Sequence, residues 1–254
     1  MDGQLAQLVA PLVADPARSA VVCDIDGTLA PIVARPDQAQ VPEATVELLA
    51  RLAGRYALVG CVTGRSAADA RQLVPPEQVG LAGNHGLELW RDGRVQVEPE
   101  AAEFLPAVRQ AVVLVENDGP LLEDHCTVED KGITFSVHYR NSPRPDHVLR
   151  YLETQIVPKI ERAGLQPNFG RMVLEVRPPV ALNKGTGLRA LRGVRDIQHT
   201  LFVGDDRSDL DAFAEATIKI AVRSPEAPPE LLAAADAVVS GPPAVAELLA
   251  YLCE

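Results

Sequence analysis

Val21–Ile32 is VVCDIDGTLAPI. A run of small and β-branched apolar residues ends in two aspartates one residue apart, and Gly27 and Thr28 follow at once. The apolar run predicts a short strand buried on both faces. Two carboxylates at the end of such a strand repel one another, and burying them is costly unless something pairs with them. The rest of the chain has to supply the partners.

The pattern around this stretch repeats toward both ends of the chain. Pro42–Ala53 has the apolar spacing and the proline start of an amphipathic helix. Tyr56–Val62 predicts a second buried strand, stopped by Thr63-Gly64-Arg65, with a helix from Ser66 and a third short strand at Val79–Ala82. From Lys184 the same alternation returns: a helix in GTGLRALRG, a strand in TLFVGDD, a helix over Ser208–Ala214, short strands in TIKIAV and DAVVS, and a closing helix over Pro243–Leu252. Strands alternating with helices argue for a doubly wound parallel sheet with helices on both faces.

The middle of the chain differs. LELWRDGRVQVE is two alternating runs around Asp92-Gly93, a hairpin signal. Glu100–Glu116 and Asp146–Arg162 predict helices, Leu121–Arg140 predicts extended chain, and LQPNFGRMVLEVRP predicts two strands turning near Gly170. In GITFSVHYR, Ile133, Phe135, Val137 and Tyr139 alternate with Thr134, Ser136, His138 and Arg140. The expected fold class is therefore α/β: a Rossmann-like core over residues 1–86 and 178–254, and an inserted cap over 87–177 with an antiparallel sheet and helices on one face.

Bulk properties narrow the function classes. The chain has 254 residues, 47% of them hydrophobic, enough for a core domain carrying a smaller one. A formal net charge of -11 argues against non-specific binding to nucleic acid or an anionic membrane. Of the four cysteines, Cys23 and Cys61 lie in strand-like apolar runs and are expected in the core. No disulfide framework is expected, the first twenty residues make a poor signal peptide, and no apolar run has the length of a membrane span. The expectation is a cytoplasmic monomer with a small-molecule substrate.

Ligands of open parallel sheets bind beyond the carboxyl ends of the strands. Three such ends here carry polar groups: Asp24 and Asp26, Thr63, and Asp205 with Asp206. A hard divalent cation, Mg²⁺, would relieve the repulsion among these carboxylates and accept substrate phosphate, and Lys184 could add positive charge. DxDGT at a strand end, a strand-terminal threonine, a later lysine and GDDxxD, in this order, resemble the haloacid dehalogenase-like phosphohydrolases. The resemblance implies Asp24 as nucleophile, Asp26 as general acid and base with its carbonyl on Mg²⁺, Thr63 and Gly64 at the phosphoryl group, and Lys184 as its counter-charge. It implies Asp205 on the metal, supported by Asp206 or Asp209.

Within that superfamily, GNHGLELW (Gly83–Trp90), VEDKGITFSVHYR (Val128–Arg140) and GRMVLEVRPPVALNKG (Gly170–Gly185) resemble the trehalose-6-phosphate phosphatase family. This implies that Glu129, Lys131, Arg140 and Glu175 bind sugar hydroxyls, and that His85, Gly86 and His138 line the same crevice. Trehalose 6-phosphate is the implied substrate; another sugar or pseudo-disaccharide phosphate, a weakly catalytic sugar-phosphate sensor and a phosphomutase stand as alternatives. Taken one by one, each residue also has a plain structural use: helix caps for the aspartates, a solvated strand face for His138 and Arg140, an ion-pair set for Glu129, Lys131 and Glu175. The chain departs from the family pattern GDDxTDE at Ser208 and at Leu210, where a carboxylate is usual.

Overall fold

A computed structural model describes residues 3–33, 35–170, 172–224 and 227–254. The chain divides into two units, Met1–Gln96 with Leu182–Glu254, and Val97–Ala181.

The first unit contains α1 (Gly3–Ala14), β1 (Ser19–Cys23), α2 (Glu43–Ala53), β2 (Leu58–Val62), α3 (Ala67–Leu73), β3 (Gly80–Gly83) and a hairpin of β4 (Glu88–Arg91) and β5 (Arg94–Val97). The second unit contains α4 (Pro99–Ala102), α5 (Leu105–Glu116), α6 (Gly119–Glu123), β6 (Thr127–Asp130), β7 (Phe135–His138), α7 (Pro145–Tyr151), α8 (Val157–Arg162), β8 (Gln166–Gly170) and β9 (Val173–Arg177). The chain then returns to the first unit with α9 (Lys184–Arg192), β10 (His199–Gly204), α10 (Asp209–Phe213), β11 (Ile218–Arg223), α11 (Pro229–Ala234), β12 (Ala237–Ser240) and α12 (Gly241–Leu252).

The first sheet has the order β12-β11-β10-β1-β2-β3-β4-β5. β12 through β3 are parallel, and β4 joins antiparallel to β3. Side chains alternate between its faces. Val21, Cys23, Val59, Cys61, Leu201 and Val203 pack on one side with α1, α2 and α12; Ala20, Val22, Val62 and Phe202 pack on the other with α9, α10 and α11. β1 lies between β10 and β2, so the chain segments after all three strands emerge along one edge of the sheet.

The second sheet is antiparallel, in the order β6-β7-β9-β8. Phe135, Val137, Leu174 and Val176 point to one face, where α5, α7 and α8 bury them. Glu129, Ser136, Glu175 and Asn168 stand opposite one another in register across all four strands on the other face.

The structure moves several expected boundaries. The Asp92-Gly93 hairpin forms, with both residues at positive φ as a tight hairpin turn requires. It extends the first sheet, because Leu81, Ala82 and Gly83 pair with Trp90, Leu89 and Glu88, and Leu89 is buried there. The division therefore falls after Gln96 and Ala181, not before Leu87 and after Arg177. The helix expected over Glu100–Glu116 is two, because Pro106, in the first turn of α5, has no N–H to bond back to the carbonyl of Ala102, where α4 ends. The start of Leu121–Arg140 is helical, with Asp118 capping α6 by accepting the Leu121 N–H. The helix over Asp146–Arg162 widens by a π-type turn at Leu152–Ile156, just before Pro158, which has no N–H to give. Two further helices, α1 and α11, complete the first unit; α1 holds despite Pro11 because Val9 and Leu12 are buried in the core.

Phe135 is fully buried in the second unit's core. Phe135→Ala is expected to lower stability by about 3–5 kcal/mol, measured by chemical denaturation; a loss below about 1 kcal/mol would contradict this packing.

Candidate active site

Asp24 follows the last residue of β1, and its backbone N–H donates to the Val203 carbonyl of β10. The neighbouring strand thus fixes the backbone that carries the carboxylate. The chain turns sharply just beyond, with the N–H groups of Thr28, Leu29 and Ala30 all pointing at the Ile25 carbonyl. Gly27 sits at φ +77° against the Asp205 carboxylate, with which any Cβ would collide. The glycine of DxDGT therefore lets the two strand ends approach.

Lys184, the first residue of α9, is buried and reaches both Asp24 (Nζ to Oδ2, 2.8 Å) and Asp209 (Nζ to Oδ1, 2.7 Å). Asp209 also accepts the backbone N–H groups of Asp205 and Asp206 on its second oxygen, both at 2.9 Å. Asp209 therefore braces the lysine and shapes the loop that carries Asp205. Asp205 is itself buried and accepts from the Thr28 hydroxyl at 3.3 Å.

Carboxylate oxygens of Asp24, Asp205 and Asp209 lie within 4.8 Å of one another. Burial pushes all three carboxyls above their ordinary range, Asp205 to about 7, and Lys184 pulls each of them back. For Lys184, burial acts to lower its pKa, but Asp209 and Asp24 override it and hold the ammonium above its ordinary value. Fully ionised, the three carboxylates carry two negative charges more than the one ammonium offsets. The donors that face one another are all oxygen. An all-oxygen set with an excess of two negative charges fits a hard divalent cation.

The remaining expected residues fall into separate groups. The Asp26 carboxylate lies outside this cluster, and Arg65 grips both its oxygens at 2.6 and 2.8 Å. Asp206 is exposed and accepts from the Ser208 hydroxyl. Thr63 is buried at the end of β2, where its hydroxyl oxygen accepts the Arg65 N–H. The His85 ring lies over Gly64, where a side chain on Gly64 would meet it at 2.8 Å. Gly86 follows in the same turn and backs onto Asn183. In the second unit, Glu129 holds His138 at 2.8 Å and Lys131 at 3.7 Å. Glu175 shares the row of Glu129 across the sheet, and Arg140 is exposed just beyond β7. Leu210 packs its side chain against the apolar cluster on the α9 side of the first sheet.

Two residues of this region carry no expectation from the sequence. Arg65 directly follows Thr63-Gly64, and that adjacency is the only local signal for its grip on Asp26. Glu88 is buried at the start of β4 and accepts the Ala67 N–H at 2.6 Å. A charged residue between Leu87 and Leu89, both buried, is its signal.

A family model described as trehalose-phosphatase matches residues 22–225. A trehalose-phosphate phosphatase of Mycobacterium tuberculosis is 35% identical over 204 residues, covering 76% of this chain and 50% of that one. An uncharacterized glycosyl hydrolase of the same organism is 34% identical over 211 residues, which cover 77% of this chain and 15% of that protein. The chain thus spans half or less of the length of these two relatives. A crystal structure of a trehalose-6-phosphate phosphatase related protein superposes with a TM-score of 0.78 at 22% identity, covering 92% of this chain and 96% of that one.

Lys184→Ala leaves Asp24 and Asp209 buried without their counter-charge, so it is expected to cost about 3–5 kcal/mol, read by chemical unfolding at pH 7 without metal. A cost below about 1 kcal/mol would contradict the bracing role. Burial also pushes the Glu88 carboxyl from 4.5 up to about 7, with the Ala67 N–H and the Asn84 side chain holding it back and Asp69 adding to the push. The folded chain keeps this proton at pH values where the unfolded chain has lost it, so stability falls as pH rises from 4.5 through 7. Glu88→Gln removes that loss. Its melting temperature relative to the unmodified chain is expected to rise between pH 5 and pH 8; a constant difference would contradict the assignment.

Proposed function

The chain belongs to the trehalose-phosphatase family, and on that footing we propose that it hydrolyses trehalose 6-phosphate to trehalose and inorganic phosphate, with Mg²⁺ as cofactor. The observation that carries the chemistry is the buried set of Asp24, Asp205 and Asp209 around Lys184. When bound, Mg²⁺ supplies positive charge for the phosphoryl oxygens and for the carboxylates that Lys184 leaves uncompensated. Asp24 and Asp205 would hold it through side-chain oxygens, and Asp26 through its backbone carbonyl. Asp209 and Asp206 would support the loop behind them.

In this reading, a carboxylate oxygen of Asp24 attacks phosphorus and the bond from phosphorus to the sugar oxygen breaks. Asp26 gives that oxygen a proton, so trehalose leaves as the neutral alcohol. A water then attacks the aspartyl-phosphate, Asp26 takes its proton, and the bond from phosphorus to Asp24 breaks. Phosphate leaves and both side chains return to their starting states. Lys184 keeps Asp24 aligned and offsets the phosphoryl charge. The Thr63 hydroxyl donates to a phosphoryl oxygen, with Gly64, His85 and Gly86 beside it. Asp26 has both oxygens occupied by Arg65. A proton needs one of them, so Arg65 releases an oxygen before Asp26 acts as acid. The incoming phosphoryl group is a competing anion for its guanidinium.

Sugar recognition is assigned to the polar face of the second sheet. Glu129 and Glu175 are acceptors for hydroxyl protons, Lys131 and Arg140 are donors, and His138 is oriented by Glu129. Groups of this kind discriminate strongly, because a wrong sugar leaves them unpaired.

Phosphate release with Mg²⁺ is measured on trehalose 6-phosphate, sucrose 6-phosphate, glucose 6-phosphate and an aryl phosphate. The expected result is a preference for trehalose 6-phosphate above about tenfold in kcat/KM. Good aryl phosphate turnover without turnover of trehalose 6-phosphate would keep the mechanism and discard the substrate. Asp24→Asn is expected to bring turnover to background with the fold retained by circular dichroism, whereas Glu175→Ala is expected to raise KM by about tenfold with little change in kcat. Retained turnover in Asp24→Asn would contradict the nucleophile assignment.

A further inference from the structure

The chemistry above has no use for Glu88, although it is a carboxylate only 2% exposed. We propose that Glu88 is a positioning residue, whose carboxylate ties the loop after β2 to the turn after β3 and thereby fixes the Thr63 hydroxyl and the Arg65 guanidinium that holds Asp26.

The tie is built from both sides. Glu88 Oε1 accepts the N–H of Ala67, which closes the Thr63–Ser66 loop. The Asn84 side chain hydrogen-bonds the same carboxylate. Asn84 and His85 both take positive φ, at 48° and 55°, an uncommon backbone for residues other than glycine. Such a conformation persists only where its surroundings hold it. Here the Asn84 N–H donates to the Arg65 carbonyl at 2.7 Å, and the His85 N–H donates to the Thr63 carbonyl at 2.8 Å. The loop and the turn are thus joined at Thr63, Arg65 and Ala67, and Glu88 is the one buried side chain of β4 that bonds to both. Gly86 then backs onto Asn183, the residue before Lys184. Displacing the turn reaches Thr63, Arg65 and the start of α9 together. Small displacements of such groups cost heavily in rate, because the reacting geometry tolerates little error.

The kinetic part of this inference rests on the phosphatase reading; the tie itself does not. Glu88→Ala, Glu88→Gln and Glu88→Asp are compared with Tyr56→Phe, which removes a buried hydrogen bond to the Leu252 carbonyl elsewhere in the first unit. Amide hydrogen exchange is followed at pH 8 without substrate, in peptides covering residues 63–67 and 84–87. Glu88→Ala is expected to speed exchange in both peptides by about tenfold or more, with residues 127–138 unchanged. Glu88→Gln keeps an acceptor for Ala67 and is expected to retain most of the protection. Should Glu88→Ala fail to fold, Glu88→Asp withdraws the carboxylate by one methylene and is expected to loosen both peptides to a smaller extent.

With a phosphate ester that the unmodified chain turns over, Glu88→Ala is expected to lose about ten- to a hundredfold in kcat, with KM within about threefold. Glu88→Gln is expected to recover most of the loss, and Tyr56→Phe to match the unmodified chain. Unchanged exchange at 63–67 and 84–87 overturns the tie whatever the substrate is. Loosened exchange with an unaltered kcat overturns the positioning role. Failure of the phosphatase reading shows differently: the unmodified chain then releases no phosphate from any ester, and the exchange data alone decide the tie.

Discussion

A single ammonium group buried between two carboxylates is the constraint on which the site depends. Lys184 spans Asp24 at the end of β1 and Asp209 at the start of α10, at 2.8 and 2.7 Å. None of the three would tolerate its surroundings alone, since an unpaired buried charge costs several kcal/mol. Together they fasten three distant chain segments at one point. Asp209 passes the constraint on, because its other oxygen gathers the N–H groups of Asp205 and Asp206 and so sets the direction of the Asp205 carboxylate. The parallel sheet makes this possible by bringing the ends of β1 and β10 side by side. The set is left with an excess of negative charge, the condition under which a hard divalent cation completes a site.

The two units divide the chemical demands. The first collects charge, where a phosphoryl group would be held and attacked. The second offers a sheet whose apolar face packs against helices and whose other face carries Glu129, Ser136, Glu175 and Asn168 in one row. Charged residues in the strands of a small sheet are uneconomical for folding alone, which is why this row is assigned to recognition. Leu210 stands where the family pattern has a carboxylate, and here it contributes to the apolar packing beneath the GDD loop.

Much of this was legible in the sequence where the signal is local. An apolar run stopped by aspartates marks a strand end, and the alternation over Ile133–Tyr139 separates a core face from a polar face whatever the tertiary context. The hairpin at Asp92-Gly93 was equally plain, but its membership was not: pairing with β3 is a tertiary fact, and a local pattern cannot say which sheet a hairpin extends. The break ahead of Pro106 and the widened turn ahead of Pro158 lay within reach of proline stereochemistry, although the helical periodicity runs across both. Arg65 and Glu88 were the least visible. Arg65 acts on Asp26, 39 positions away, and Glu88 on Ala67, 21 positions away. Only the register of β1, β2, β3 and β4 brings these groups together.

The most direct test of the account is chemical trapping of the covalent intermediate. The protein is mixed with trehalose 6-phosphate and Mg²⁺, quenched in acid during turnover, treated with borohydride and digested for mass spectrometry. The account predicts substrate-dependent reduction of one side chain to the alcohol, at Asp24, and none at Asp26, Asp205 or Asp209. Sustained phosphate release with no reduced side chain, or with reduction at another carboxylate, would contradict it.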